Sequence, residues 1–254
     1  MRTLSFLGIF LASALTSPLA IAHENESRVE IELESSTVVV AGQSELAFQI
    51  VDTKLSRTLS DQDLKIAHEK KLHVLIYDQA LKEFTHVHPE YIDGLWKVSI
   101  NLAVNGKYFL WAQGELASDG EEFSALSEIQ VANGSIAWPL PPVLNELRVG
   151  TDGISKATLG NQTLRKGKMA MLDLKFTRTD GTSAVITPYL GALAHVVATP
   201  SDGDSLIHVH PMNGNQPNEG MLHVTFPTAG MHRLWIQFID GGNLKTIPLV
   251  VKVL

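Results

Sequence analysis

The chain has 254 residues, with 20 Lys+Arg against 27 Asp+Glu, a formal net charge of −7 and no cysteine. That length suits one large domain or two ordinary ones, and 44% hydrophobic content rules out disorder for most of it. An acidic balance without a Lys/Arg block argues against nucleic acid as a partner. The missing thiols exclude disulfides, Cys-ligated zinc, iron–sulfur clusters, a lipid-attached N-terminal Cys and a blue-copper site.

Taken in chain order, residues 1–22 read as a signal peptide. Arg2 is the positive n-region, 4–15 is an apolar run, and Ala20-Ile21-Ala22 is a small-residue cleavage pattern. The run is short for a membrane span, and no later stretch approaches about 20 apolar residues. The expectation is an exported chain, periplasmic or secreted, starting near His23 and with no membrane span in its mature form. Export without a cysteine fits a bacterial periplasm. His23 would then carry an amine and an imidazole together, either a copper chelate or simply a tail residue.

From residue 28 onward the pattern is strand-like. Residues 29–34 alternate with period two, and short apolar runs follow at 38–40, 46–51, 72–77, 95–100 and 108–113. One short helix is expected over 60–69. Asn133-Gly134 and then Trp138-Pro139-Leu140-Pro141-Pro142 read as a stiff connector. Runs resume at 169–176, 192–198, 221–226, 234–238 and 247–253. The predicted fold is all-β: two immunoglobulin- or cupredoxin-like sandwiches at 28–131 and 148–254, joined by a Pro-rich linker over 132–147.

The two halves repeat each other. Leu72-His73-Val74 precedes Thr85-His86-Val87-His88-Pro89, and Ala194-His195-Val196 precedes Ile207-His208-Val209-His210-Pro211. The step from the single His to the first His of His-Val-His-Pro is 13 residues in both. Gly106-Lys107-Tyr108-Phe109-Leu110-Trp111-Ala112-Gln113 parallels Gly230-Met231-His232-Arg233-Leu234-Trp235-Ile236-Gln237, and matched segments are offset by 122–126 residues throughout. A duplication explains this.

If 72–77 and 84–88 form a hairpin turning near Ala80, His73 faces His88 and Leu75 faces His86. In the second copy His195 faces His210 and Val197 faces His208. Strand alternation then puts three imidazoles on one face of each hairpin, with opposed Cβ atoms about 4.5–5.5 Å apart. Three neutral imidazoles can bind zinc or copper, so His73, His86, His88, His195, His208 and His210 are the candidate ligands. Glu90 and Met212, each after a His-Pro, are candidate auxiliary ligands of different softness. His68, His223 and His232 are not repeated and read as ordinary surface or hydrogen-bonded residues. Trp111 and Trp235 are expected to anchor the sandwich cores.

These segments, with Gly106-Lys107-Tyr108-Phe109-Leu110-Trp111, resemble exported bacterial β-sandwich domains of the YtkA-like or FixH-like kind. The resemblance implies an extracytoplasmic domain associated with copper or other metals, with the six histidines as the positions to watch. The second copy departs from it by lacking the Glu after His-x-His-Pro and by the polar loop 213–218. Three functions stay open: a copper- or zinc-binding protein for storage, delivery or resistance; a noncatalytic module binding another envelope protein, its histidines structural; and a metallohydrolase whose metal is held by three histidines. The last lacks a carboxylate repeated beside both triads, and no other catalytic motif is present.

Overall fold

The computed structural model describes residues 27–34, 37–209 and 211–254; the leader expected over 1–22, His23 and His210 lie outside the described residues. Among the described residues the first repeat supplies β1 (Val29–Leu33), β2 (Val38–Val40), β3 (Gly42–Asp52), β4 (Arg57–Thr58), β5 (Leu72–Asp78), β6 (Phe84–Val87), β7 (Glu90–Ile92), β8 (Leu95–Leu102), β9 (Gly106–Glu115) and β10 (Glu122–Ala132). One sheet runs β1-β3-β8-β7 with β4 on β3, and the other runs β2-β10-β9-β5-β6. The second repeat begins with β11 (Val149–Thr151), β12 (Ser155–Leu159), β13 (Met169–Arg178), β14 (Ile186–Thr187) and β15 (His195–Pro200). It continues with β16 (Ile207–Val209), β17 (Met212–Asn213), β18 (Glu219–Thr225), β19 (Gly230–Asp240) and β20 (Asn243–Val253). Its sheets are β11-β12-β13-β18-β17 and β14-β19-β15-β16, with β20 on β19. The chain is two tandem β-sandwiches.

Alternation builds each core. Phe48, Ile50 and Trp96 from one sheet meet Val74, Ile76, Tyr108 and Leu110 from the other. In the second sandwich Leu172, Leu174 and Phe176 meet Val196, Ala198, Leu234 and Ile236. Each buried Val, Leu, Ile or Phe among them stabilises the fold by roughly 1.5–3 kcal/mol.

Residues of opposite parity have a different destination. All seven residues of β5 and all six of β15 are buried, so both faces of these strands are covered. Leu75, Tyr77, Phe109 and Trp111 of the first domain pack with Val197, Trp235 and Val250 of the second in a separate apolar cluster. The outer faces of the β5 and β15 sheets are therefore packed against each other. This corrects the expectation for Trp111 and Trp235, which lie between the domains. The tryptophan that fills a sandwich core is Trp96, its indole N–H donating to the Leu59 carbonyl at 3.2 Å.

Polar contacts fix this interface. The Tyr77 hydroxyl donates to the Gly203 carbonyl across the boundary at 2.8 Å and accepts the Trp111 indole N–H at 2.8 Å. Gly203 has φ +78°, and a Cβ there would come within 2.6 Å of Phe109, so the close approach requires glycine. Leu144 of the linker is buried in the same cluster, and Leu147 pairs with Val250. The helix expected over 60–69 is only a 3-10 turn at Asp61–Asp63, because Leu64 bridges to Leu116 and the chain then turns back at Ala67 and Lys70.

Candidate metal centre

The hairpins that carry the histidines have the expected register. β5 pairs with β6 as Leu75↔His86 and Val74↔Val87, and β15 pairs with β16 as Val197↔His208 and Val196↔Val209. In the first copy the turn is held by Asp78, whose Oδ1 accepts the backbone N–H groups of Lys82 at 2.6 Å and Glu83 at 2.7 Å. His88 follows directly after β6. His73, His86 and His88 each offer a ring nitrogen within 4.8 Å of the other two.

Hydrogen bonds on the far side of each ring determine which nitrogens carry protons. His73 Nε2 lies 3.1 Å from the Ala67 carbonyl, and His86 Nδ1 lies 2.9 Å from Gln237 Oε1. Both partners are acceptors, so both of these nitrogens donate. In neutral rings the other nitrogens, His73 Nδ1 and His86 Nε2, present lone pairs, and they face each other at 3.1 Å. The second copy repeats this atom for atom. His195 Nε2 donates to the Tyr189 carbonyl at 3.2 Å, His208 Nδ1 to Gln113 Oε1 at 2.9 Å, and His195 Nδ1 meets His208 Nε2 at 3.1 Å. His88 Nε2 is buried with no hydrogen-bond partner among the described residues.

The two carbonyls come from the same kind of turn. Ala67 and Lys70 bridge each other with His68 and Glu69 at φ +50° and +65°; Tyr189 and Ala192 do so with Leu190 and Gly191 at +49° and +72°. Two successive left-handed residues are the mark of a tight hairpin turn. Holding His68 and Glu69 there has a strain cost that glycine would avoid.

Domain packing brings His73 and His86 against His195 and His208. Ring centroids of His73 and His195 are 6.2 Å apart, His73 and His208 5.8 Å, and His86 and His208 5.7 Å. Equivalent residues meet each other, as His73 meets His195, and the His86–Gln237 contact is mirrored by His208–Gln113. The packing is thus an internal two-fold, like the isologous interface of a symmetric dimer. An open cleft of about 320 Å³ reaches this chamber from solvent, lined by His68, His73, Gln113, Glu122 and His208 from both domains.

Burial sets the electrostatics. The His88 ring is pushed down to about 3, first by desolvation and then by the neighbouring His73 and Lys70 charges. His73 is also held below the usual histidine range, burial outweighing its bond to the Ala67 carbonyl. At His73 and His88 burial thus favours the neutral imidazole, the form that coordinates metal.

His68, read from sequence as an ordinary residue, stands at this site, its ring centroid 6.0 Å from His195 and 6.5 Å from His73. Repetition could not find it, because Leu190 occupies the equivalent turn position. Gln113 and Gln237 were also missed, although a signal existed: Trp-x-Gln occurs at matched positions, with an amide where an apolar strand faces a buried surface. Glu90 is exposed on β7 opposite Lys97, and Met212 is exposed on β17 opposite Met221. Glu90 is not part of the His73, His86, His88 group. His223 is exposed on β18, whereas His232 is buried on β19 with its ring 5.0 Å from Phe226, its Nδ1 unpartnered among the described residues, and burial lowering its pKa.

No curated protein is similar enough to match the chain. Among solved structures it is similar to the Escherichia coli adhesin FdeC at 15% identity, covering 91% of this chain and 65% of that one with a TM-score of 0.28. It is also similar to the fibronectin(III)-like modules of Clostridium thermocellum CbhA at 13% identity, 88% and 94% coverage and a TM-score of 0.23. Salmonella alpha-2-macroglobulin matches at 11% identity, 93% and 15% coverage and a TM-score of 0.30. The chain spans 65% of the adhesin's length, and scores this low carry no argument about function. Residues 23–132 and 149–254 both match the family described as a domain of unknown function, DUF8832; the two regions take in most of the chain, which belongs to that family.

Proposed function

We propose that the protein is an exported metal-binding protein, holding copper or zinc on its histidine triads for storage, delivery or resistance. The observation that carries this reading is the pair of lone-pair contacts, His73 Nδ1 with His86 Nε2 and His195 Nδ1 with His208 Nε2, each at 3.1 Å. Two lone pairs at that distance repel unless a cation lies between them. A proton would leave a buried imidazolium, which desolvation disfavours. A divalent ion satisfies both nitrogens, since two ligands bound tetrahedrally at 2.0–2.1 Å stand about 3.3 Å apart. His88 Nε2 supplies a third donor in the first domain, and His210 is the sequence candidate for that role in the second. An all-imidazole donor set suits zinc or copper better than calcium or magnesium.

The leader pattern over 1–22 and the YtkA-like or FixH-like resemblance support an envelope location. Among the described residues no helix is long and apolar enough to cross a membrane. The carboxylates lining the cleft are Glu115, paired with Lys65 at 2.6 Å, and Glu122, and the described triad groups histidines alone.

The test is metal content on the untagged mature chain. We expect up to two ions per chain, and His86→Ala with His88→Ala should remove one and leave the other. Unchanged stoichiometry with a large fall in apo melting temperature would instead make the histidines a structural clasp and favour the interaction-module reading.

A further inference from the structure

One histidine of each copy is held by a residue from the other domain. His86, in the first domain, donates its Nδ1 proton to Gln237 Oε1 of the second, and His208, in the second, donates to Gln113 Oε1 of the first, both at 2.9 Å. The amides cannot rotate freely. Gln237 Nε2 donates to Thr246 Oγ1 at 3.0 Å and Gln113 Nε2 to Ser124 Oγ at 3.1 Å, and each bond keeps the carbonyl oxygen turned toward the imidazole. Gln237 lies on β19 and Gln113 on β9, central strands whose outer faces form the domain interface. Of the two acceptors that fix tautomers in the first triad, only the Ala67 carbonyl is supplied by its own domain.

We propose that Gln237 and Gln113 are cross-domain positioning residues: Gln237 completes the metal position of the first triad, and Gln113 that of the second. The proposal rests on the metal-binding reading above. Its physical basis is that an imidazole binds through one nitrogen only when the other holds the proton, and an oxygen acceptor on that second nitrogen fixes both tautomer and ring plane. Without Gln237, His86 is free to move its proton to Nε2 and turn its lone pair away from His73. Neither domain by itself then holds a complete site. A metal bound at either triad also reinforces the docking of the two sandwiches.

The experiment uses the full mature chain. Ring ¹⁵N–¹H NMR of the apo protein reads tautomers directly, and a competition titration with Zn²⁺ and a chromophoric chelator reads affinity. The wild type should show His86 and His208 as Nδ1–H tautomers. Gln237→Leu should abolish the Nδ1–H form of His86 and weaken one of two sites by about 10- to 100-fold, leaving His208 unchanged. Gln113→Leu should do the mirror image. Gln237→Glu, which keeps an oxygen acceptor, should restore the His86 tautomer and the affinity. A wild-type apo protein with His86 and His208 as Nε2–H overturns the proposal without any variant, which covers the case of a Leu variant that fails to fold. Two Zn²⁺ bound with unchanged affinities in both Leu variants overturns the proposal and leaves the metal reading intact. Nδ1–H tautomers in a wild type that takes up no Zn²⁺ overturn the metal reading and the proposal with it.

Discussion

The two halves of the chamber agree in their buried polar skeleton and differ in the side chains around it. Each has a carbonyl on the first histidine, a glutamine on the second and a 3.1 Å contact between them. Around this skeleton the side chains have diverged. The turn of the first copy brings His68 over His195, while the turn of the second brings the Tyr189 ring 5.3 Å from the same imidazole. Tyr77 stands where the second copy has Thr199, and Phe109 where it has Arg233, a buried guanidinium whose pKa desolvation lowers. Contacts that are coupled have stayed together or differ together. In the skeleton losing one polar group strands its partner, and at the other buried positions a whole cross-strand pair differs, Tyr77 with Phe109 in one copy against Thr199 with Arg233 in the other.

Alanine at the paired tryptophans puts the largest strain on this comparison. Trp235 stacks on Phe84 at 4.7 Å and on Tyr77 at 5.2 Å, so Trp235→Ala should destabilise the protein by about 3–5 kcal/mol in urea unfolding. Trp111→Ala should cost a similar amount. If both variants unfold at the wild-type midpoint, the two domains do not share an interface in solution.

A change of pH should have the next largest effect. Burial lowers His73, His88 and His232 below their ordinary value of 6.5, and His88 reaches about 3. Between those limits these three sites bind more protons in the unfolded chain than in the folded one, so their contribution to apo stability is fully present above about pH 6.5 and falls toward about pH 3. Denaturant midpoints of the apo protein at pH 7.5, 5.5 and 4.5 should decrease in that order. A variant with His88→Asn should show a shallower decline; an equal slope would assign the loss to other groups.

Tyr77→Phe should have the smallest effect. It removes a hydroxyl that serves Trp111 and Gly203 and leaves two buried partners unsatisfied, at about 1–3 kcal/mol. The equivalent Thr199→Val in the second copy removes a hydroxyl that donates to Ser205 at 2.7 Å and lies 3.3 Å from Tyr77, so the pair suits a double-mutant cycle. Additive losses would show that the two hydroxyls do not cooperate across the boundary.

Much of the fold was legible because it rests on local periodicity. Leu75↔His86 and Val197↔His208 follow from hairpin symmetry, and the repeat is visible as matched residues. Periodicity did not disclose where the outer faces go, although 72–77, 108–113 and 234–238 carried a sign of it. Antiparallel strands that are apolar on both parities have both faces covered, and a single sandwich covers only one. Trp111 and Trp235 were misplaced for that reason: their strands were recognised, but parity assigns a side chain to a face without saying what covers that face.

The candidate site divides in the same way. That His73, His86 and His88 come together in the first copy, and His195 and His208 in the second, follows from strand alternation and hairpin register, both short-range and both determined by the order of residues. Which nitrogen of each ring carries the proton depends on Ala67, Tyr189, Gln113 and Gln237, and two of these lie 95 and 151 residues from the histidine they hold. No spacing rule connects His86 to Gln237 or His208 to Gln113. Those contacts exist only because two sheets, each apolar on its outer face, bury that surface against each other, and tertiary packing alone decided that His73 and His86 would meet His195 and His208.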